Sequence, residues 1–152
     1  MSAFLFTLSF LLAAPVWALM ILAPGLRLTA RIAASPLTAV PVALVYAVLG
    51  ARIAPELWAL VTGPDLAGFQ ALAADASGAG AAAAWAHIIA WDLLVGQWMY
   101  RESRRLGIAP WVSGPVLLLT ILLAPVGLLV FLPLRALAGR AARRREPARL
   151  AA

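Results

Sequence analysis

Residues Trp85 to Arg101 read Trp-Ala-His-Ile-Ile-Ala-Trp-Asp-Leu-Leu-Val-Gly-Gln-Trp-Met-Tyr-Arg. The stretch holds the only histidine of the chain, His87, and an aspartate, Asp92, inside an apolar run long enough to enter a bilayer. An ionisable side chain at bilayer depth costs at least about 2.5 kcal/mol, so it needs a compensating partner or a task. The segment therefore points to a membrane fold and marks the place where a specific function would reside.

Working outward, the rest of the chain has the same character. Of 152 residues, 64% are hydrophobic and 12% charged, with a mean hydropathy of +0.97. Soluble domains carry about 25% charged residues. Four segments reach the roughly 20 apolar residues that cross a hydrocarbon core: about 3–23, 37–59, 82–100 and 111–134. The expected fold is all-α, a polytopic membrane bundle of four transmembrane helices over residues 1–134, with residues 135–152 as a basic tail in the cytoplasm or against lipid. The 63–81 connection reads as a flexible loop, and Phe69 and Leu72 would let it rest on the membrane as a short interfacial helix. Residues 1–18 also resemble a cleavable leader. The absence of a basic n-region and the continuing run Met20-Ile21-Leu22 favour a retained span.

Pro15, Pro41 and Pro125 fall inside three of these spans and are expected to kink them. Leu11-Leu12-Ala13-Ala14-Pro15-Val16 is echoed by Leu122-Leu123-Ala124-Pro125-Val126, a weak sign of an inverted repeat of the transporter kind. Orientation is balanced. Four spans place Arg27, Arg31, Arg101, Arg104 and Arg105 on one side, against Arg52 and the six arginines of the tail on the other.

All twelve basic residues are arginine, the signature of a GC-rich, bacterial coding sequence, which implies the bacterial inner membrane. They cluster beside apolar spans, where anionic headgroups of the lipid bilayer are the expected partner and nucleic acid is not. There is no cysteine, hence no disulfide and no thiolate chemistry. One histidine and scattered carboxylates fall short of a metal site, and no phosphate-cradling loop, nucleophile elbow or zinc-protease motif occurs. The sequence assigns no cofactor.

On an ideal helix, at about 100° per residue, His87, Trp91, Leu94, Trp98, Arg101 and Arg105 share one stripe. Asp92 lies about 140° away, near Trp85, Gly96 and Met99, so a direct His–Asp pair is not expected. Each would need a partner from another helix, among Thr7, Ser9, Tyr46, Arg52, Ser113 and Thr120. Two readings stand for His87 and Asp92: catalytic proton carriers, or hydrogen-bonded clasps between helices, worth about 0.6 kcal/mol each. Trp91, too near the span centre for an interfacial belt, is expected inside the bundle or against an apolar ligand. Arg101, Arg104 and Arg105 with Glu102 read as a headgroup-facing turn ending at Gly107.

The string Trp85-Ala-His87-Ile-Ile-Ala-Trp-Asp92-Leu93-Leu-Val-Gly96-Gln-Trp98, followed by Arg101, Gly107-Ile108 and Pro115, resembles the abscisic-acid-deficient-four-like family. Leu119-Thr120, Ala124-Pro125-Val126-Gly127-Leu128-Leu129, and the early Pro15-Val-Trp17 and Pro24 do so as well. The resemblance implies kinship with plant plastid membrane proteins required for neoxanthin formation from violaxanthin. This sequence departs from the family pattern in having Gln97 where an arginine often stands, which removes a cation that would pair with Asp92, and Ala124 where a glycine often stands. A bacterium seldom contains violaxanthin, so the implied context is a lipophilic pigment, a carotenoid or other isoprenoid, with the activity open. The enzymatic reading makes Asp92 and His87 the acid–base groups and Trp91, Trp98, Gly96 and Pro125 the substrate wall. The alternatives are an accessory or pigment-binding protein and a small transporter; four helices are few for the latter, which would act as a homo-oligomer.

Overall fold

Inside a bilayer no water is available to satisfy backbone groups, so apolar segments must bond within themselves as helices. The computed structural model describes residues 1–150, with side chains to residue 143, and no strand occurs among them. The elements are α1 (Ser2–Leu22), α2 (Arg27–Ala34), a 3-10 turn (Pro36–Ala39), α3 (Val40–Arg52), α4 (Ala54–Thr62), α5 (Leu66–Ala73), α6 (Ala79–Arg105), α7 (Pro110–Leu122) and α8 (Ala124–Leu150). Three helical stretches are long and apolar enough to cross a membrane: α1, α6 and the Ala124–Arg143 part of α8. Arg27–Ala34 and Pro36–Arg52, bent from one another by 75°, make a fourth only if the pair is counted as one broken span. This is the architecture of a helical membrane protein.

Prolines account for the boundaries that differ from expectation. Segment 37–59 is two helices, α3 and α4, parted at Ile53. Pro55 has no N–H, and in a continuous helix its ring would strike the carbonyl four residues earlier. Segment 111–134 is likewise parted at Leu123, which has φ −148° and ψ 73°, two residues before Pro125. Pro41 and Pro125 therefore do not kink helices. Each lies in the first turn of one, where the missing N–H removes no bond. Only Pro15 of the three is internal, and α1 continues through it. The 63–81 connection contains α5, capped by the Asp65 carboxylate, which accepts a 2.8 Å hydrogen bond from the Gly68 N–H. Residues 135–150 prolong α8, while the side chains of Arg144, Arg145 and Arg149 lie outside the described residues.

The chain divides into two compact units, Met1–Pro15 with Pro36–Trp91, and Val16–Ser35 with Asp92–Ala152. In the first, Val45, Leu49 and Ile53 cluster with Ala79, Ala82, Ala83 and Ala86 of α6, and Leu5, Leu8 and Leu12 of α1 pack around them. The alanine face brings backbones close, as small residues do in membrane helices. At Gly80 a methyl group would collide with the Leu72 carbonyl.

The second unit is built on close approach. Trp17 lies against Gly96, where any side chain would run into the indole. The Tyr100 hydroxyl donates to the Pro24 carbonyl at 2.7 Å, fixing the turn after α1. The Thr29 hydroxyl donates to the Ala23 carbonyl at 2.8 Å in the same turn. Past Leu123 the chain bends so tightly that Gly127 abuts the Thr120 side chain and backbone. Phe131 of α8 is buried edge-on to Trp98 of α6, with ring centroids 5.4 Å apart.

Candidate functional site

Helix α6 is unbroken, so no bulge resets its phase and the angular separation of His87 and Asp92 stands. His87 belongs to the first unit. Its ring meets Tyr46 of α3, with centroids 5.4 Å apart, and Trp91 one turn on, at 6.3 Å. Of the six partners weighed from the sequence, only Tyr46 reaches it. Thr7, Ser9, Ser113 and Thr120 donate to carbonyls of their own helical turns. The Arg52 guanidinium meets the Met1 sulfur at 3.3 Å.

His87 and Tyr46 edge an apolar cavity of about 280 Å³. Its walls are Leu57 and Leu60 of α4, Phe69 and Leu72 of α5, and Gly80, Ala83, Ala84 and Ile88 of α6. The break at Ile53 creates it, because α4 turns aside and carries Leu57 and Leu60 to a wall that a straight span would not supply. Phe69, expected on the membrane surface, is a cavity wall instead. The alanines gave no sequence signal, since small residues mark helix contact and cavity wall alike. A second, wider depression of about 570 Å³ has a mixed lining, in which Arg52, Glu56, Asp65, Asp75 and Ser77 stand beside Ile53, Leu60 and Leu72.

The other candidate residues lie elsewhere. Trp91 is 58% exposed and meets only the His87 ring among the aromatic contacts, so it faces outward instead of into the bundle. Trp85, which stacks on Phe6 at 4.9 Å, buries an indole N–H that has no acceptor among the described residues. In the second unit, Asp92 is half-buried and makes no hydrogen bond or ion pair among the described residues. Gly96 is filled by Trp17, which leaves no room there for a ligand. Trp98 is occupied by Phe131 on its edge and by the Arg135 guanidinium, 5.8 Å from its ring centre. Pro125 is exposed at the first turn of α8.

The basic turn after Tyr100 contains a feature the sequence did not disclose. The nearly buried Glu102 carboxylate accepts from Arg105 Nε and Nη2, at 2.8 and 2.7 Å, and from Arg135 Nε at 2.7 Å. One acid thus neutralises part of the charge of two arginines drawn from different helices, a charge-assisted arrangement that fixes α8 beside α6. Among the described residues no group of three or more histidines, cysteines, aspartates or glutamates is placed to hold a metal ion.

Comparisons with curated proteins and with solved structures returned no match. A family model described as ABA DEFICIENT 4-like does match, over residues 4–131, a stretch that includes both units' candidate residues. The match covers most of the 152 residues and agrees with the resemblance carried by His87, Asp92, Gly96 and Trp98. The chain belongs to the ABA DEFICIENT 4-like family.

Proposed function

We propose that this is a small integral protein of the bacterial inner membrane that binds or acts on a carotenoid or other lipophilic isoprenoid. The observation that carries the reading is the cavity of about 280 Å³ whose lining is apolar except at His87 and Tyr46. Ligand pockets commonly measure about 300–1,000 Å³ and combine apolar walls with a few polar groups. This one has room for one end of an isoprenoid, with the remaining chain lying in lipid. The phenol of Tyr46 and the imidazole of His87 would orient an oxygenated end group, and Trp91 would extend the aromatic wall outward. Family membership supports a relation to the plant proteins of neoxanthin formation.

Proton transfer is assigned to His87 in this reading, with Asp92 as a second carrier on its own face of α6. An imidazole can serve as acid or base near neutral pH. The test is extraction of the purified protein and mass spectrometry of what it carries, for the parent and for Ala84→Phe, which narrows the cavity. An isoprenoid bound to the parent and lost from the variant is the expected result. Extracts holding only bulk phospholipid, or equal isoprenoid in both proteins, defeat the proposal.

A further inference from the structure

The ion pairs at Glu102 determine more than local packing. Glu102 stands at the charged C-terminal end of α6, beside Arg101, Arg104 and Arg105. Arg135 Nε bonds it at 2.7 Å, which sets Arg135 at the same depth in the bilayer. Phe131 and Trp98, each four residues earlier in its helix, are also in contact, so α8 runs parallel to this half of α6. A single straight helix over 111–134 would instead carry Arg135 about 36 Å from Trp111 at 1.5 Å per residue. From Ala124 to Leu134 α8 rises only about 16 Å, near half of the roughly 30 Å hydrocarbon core. The 13 residues of α7 span about 20 Å. Thr120, close to the end of α7, sits 3.7 Å from the Met99 sulfur, one turn before Ser103 on α6.

We propose that residues 110–134 form a re-entrant hairpin, α7 inward and α8 back, which returns the arginine tail to the face of the membrane that holds the 101–109 turn. The Tyr100–Pro24 bond brings the α1–α2 turn, with Arg27 and Arg31 just beyond it, to that same end of the second unit. The described arginines of this unit, from Arg27 and Arg31 to Arg101, Arg104, Arg105 and Arg135, then lie at one face. The arginine-lined end satisfies the positive-inside rule for the cytoplasm. The exposed apolar side chains beside it, Trp111 above all, place it at a lipid surface, and its partner is the acidic phospholipid headgroup.

Because the chain has no cysteine, pairs of introduced cysteines report sidedness without knowledge of orientation. The full chain is reconstituted in sealed vesicles of phosphatidylglycerol and phosphatidylcholine, treated with a membrane-impermeant maleimide, and weighed intact. Molecules carrying Ala109→Cys and Ala142→Cys are expected with either two labels or none. Those carrying Ser77→Cys and Ala142→Cys are expected with one label each. One label per molecule in the first pair would overturn the hairpin. The lipid retained by the parent protein, read by native mass spectrometry, is expected to be enriched in phosphatidylglycerol at least about fivefold, one arginine's worth. Equal retention of the two lipids would overturn the headgroup surface.

Discussion

In the first unit α6 presents alanines, and the space they leave toward α4 and α5 is partly empty. In the second unit the same helix presents Gly96, and the Trp17 indole occupies the place of a side chain. Small residues thus serve opposite purposes along one helix. The alanines admit neighbours and leave a cavity beside His87, whereas the glycine admits one large ring and closes the surface. Glu102, joined to two arginines, completes the closure. The void in the first unit and the tight seating in the second mark where a ligand is accommodated and where the scaffold is held.

The contrast can be attacked by substitution, beginning with the seat. Gly96→Ala sets a methyl against Trp17 and is expected to cost about 3 kcal/mol, as overpacking does. The measurement is the thermal unfolding of the protein in detergent, and an unchanged midpoint would show that the second unit is not closed. Glu102→Gln leaves Arg105 and Arg135 without their acid and is expected to lower the same midpoint by less than Gly96→Ala does. Both arginines are substantially exposed to solvent, which screens the pairs. Equal stability at high and low salt would contradict that assignment.

Changes in the first unit are expected to affect function more than stability. His87→Phe preserves the ring contacts with Tyr46 and Trp91 and should shift stability by less than about 1 kcal/mol. Cellular isoprenoid profiles should nevertheless change; profiles identical to the parent's would remove His87 from the site. Asp92→Asn deletes a charge that has no partner among the described residues, so the protein should accumulate at parental level. If pigment profiles or turnover stay the same at that level, the acid–base role of Asp92 fails. Loss of the protein from the membrane would instead make Asp92 a clasp.

The sequence foretold the class, the course of α6 and the angular separation of His87 from Asp92, because apolar length and helical phase are local properties. It could not tell a proline that kinks a helix from one that begins the next. Pro41 and Pro125 lack the same N–H in either case, and only the fit of Gly127 against Thr120 decides the second. Hydropathy likewise measures how long a segment is, not which way it runs, so 111–134 read as a single crossing. The cavity was hidden for a related reason. Leu57, Leu60 and Phe69 become its wall only after the chain has turned at Ile53. Tyr46, the one that meets His87, is among six possible partners that the sequence does not rank.

The seat of Trp17 also sets an order of events during synthesis. Gly96 follows Trp17 by 79 positions, and at about 5–20 residues per second the ribosome needs roughly 4–16 s to reach it. For that interval the first helix must dwell in lipid with its indole unseated. A nascent chain arrested before Gly96 should therefore remain open to protease at the turn after α1, and the completed, released chain should resist it.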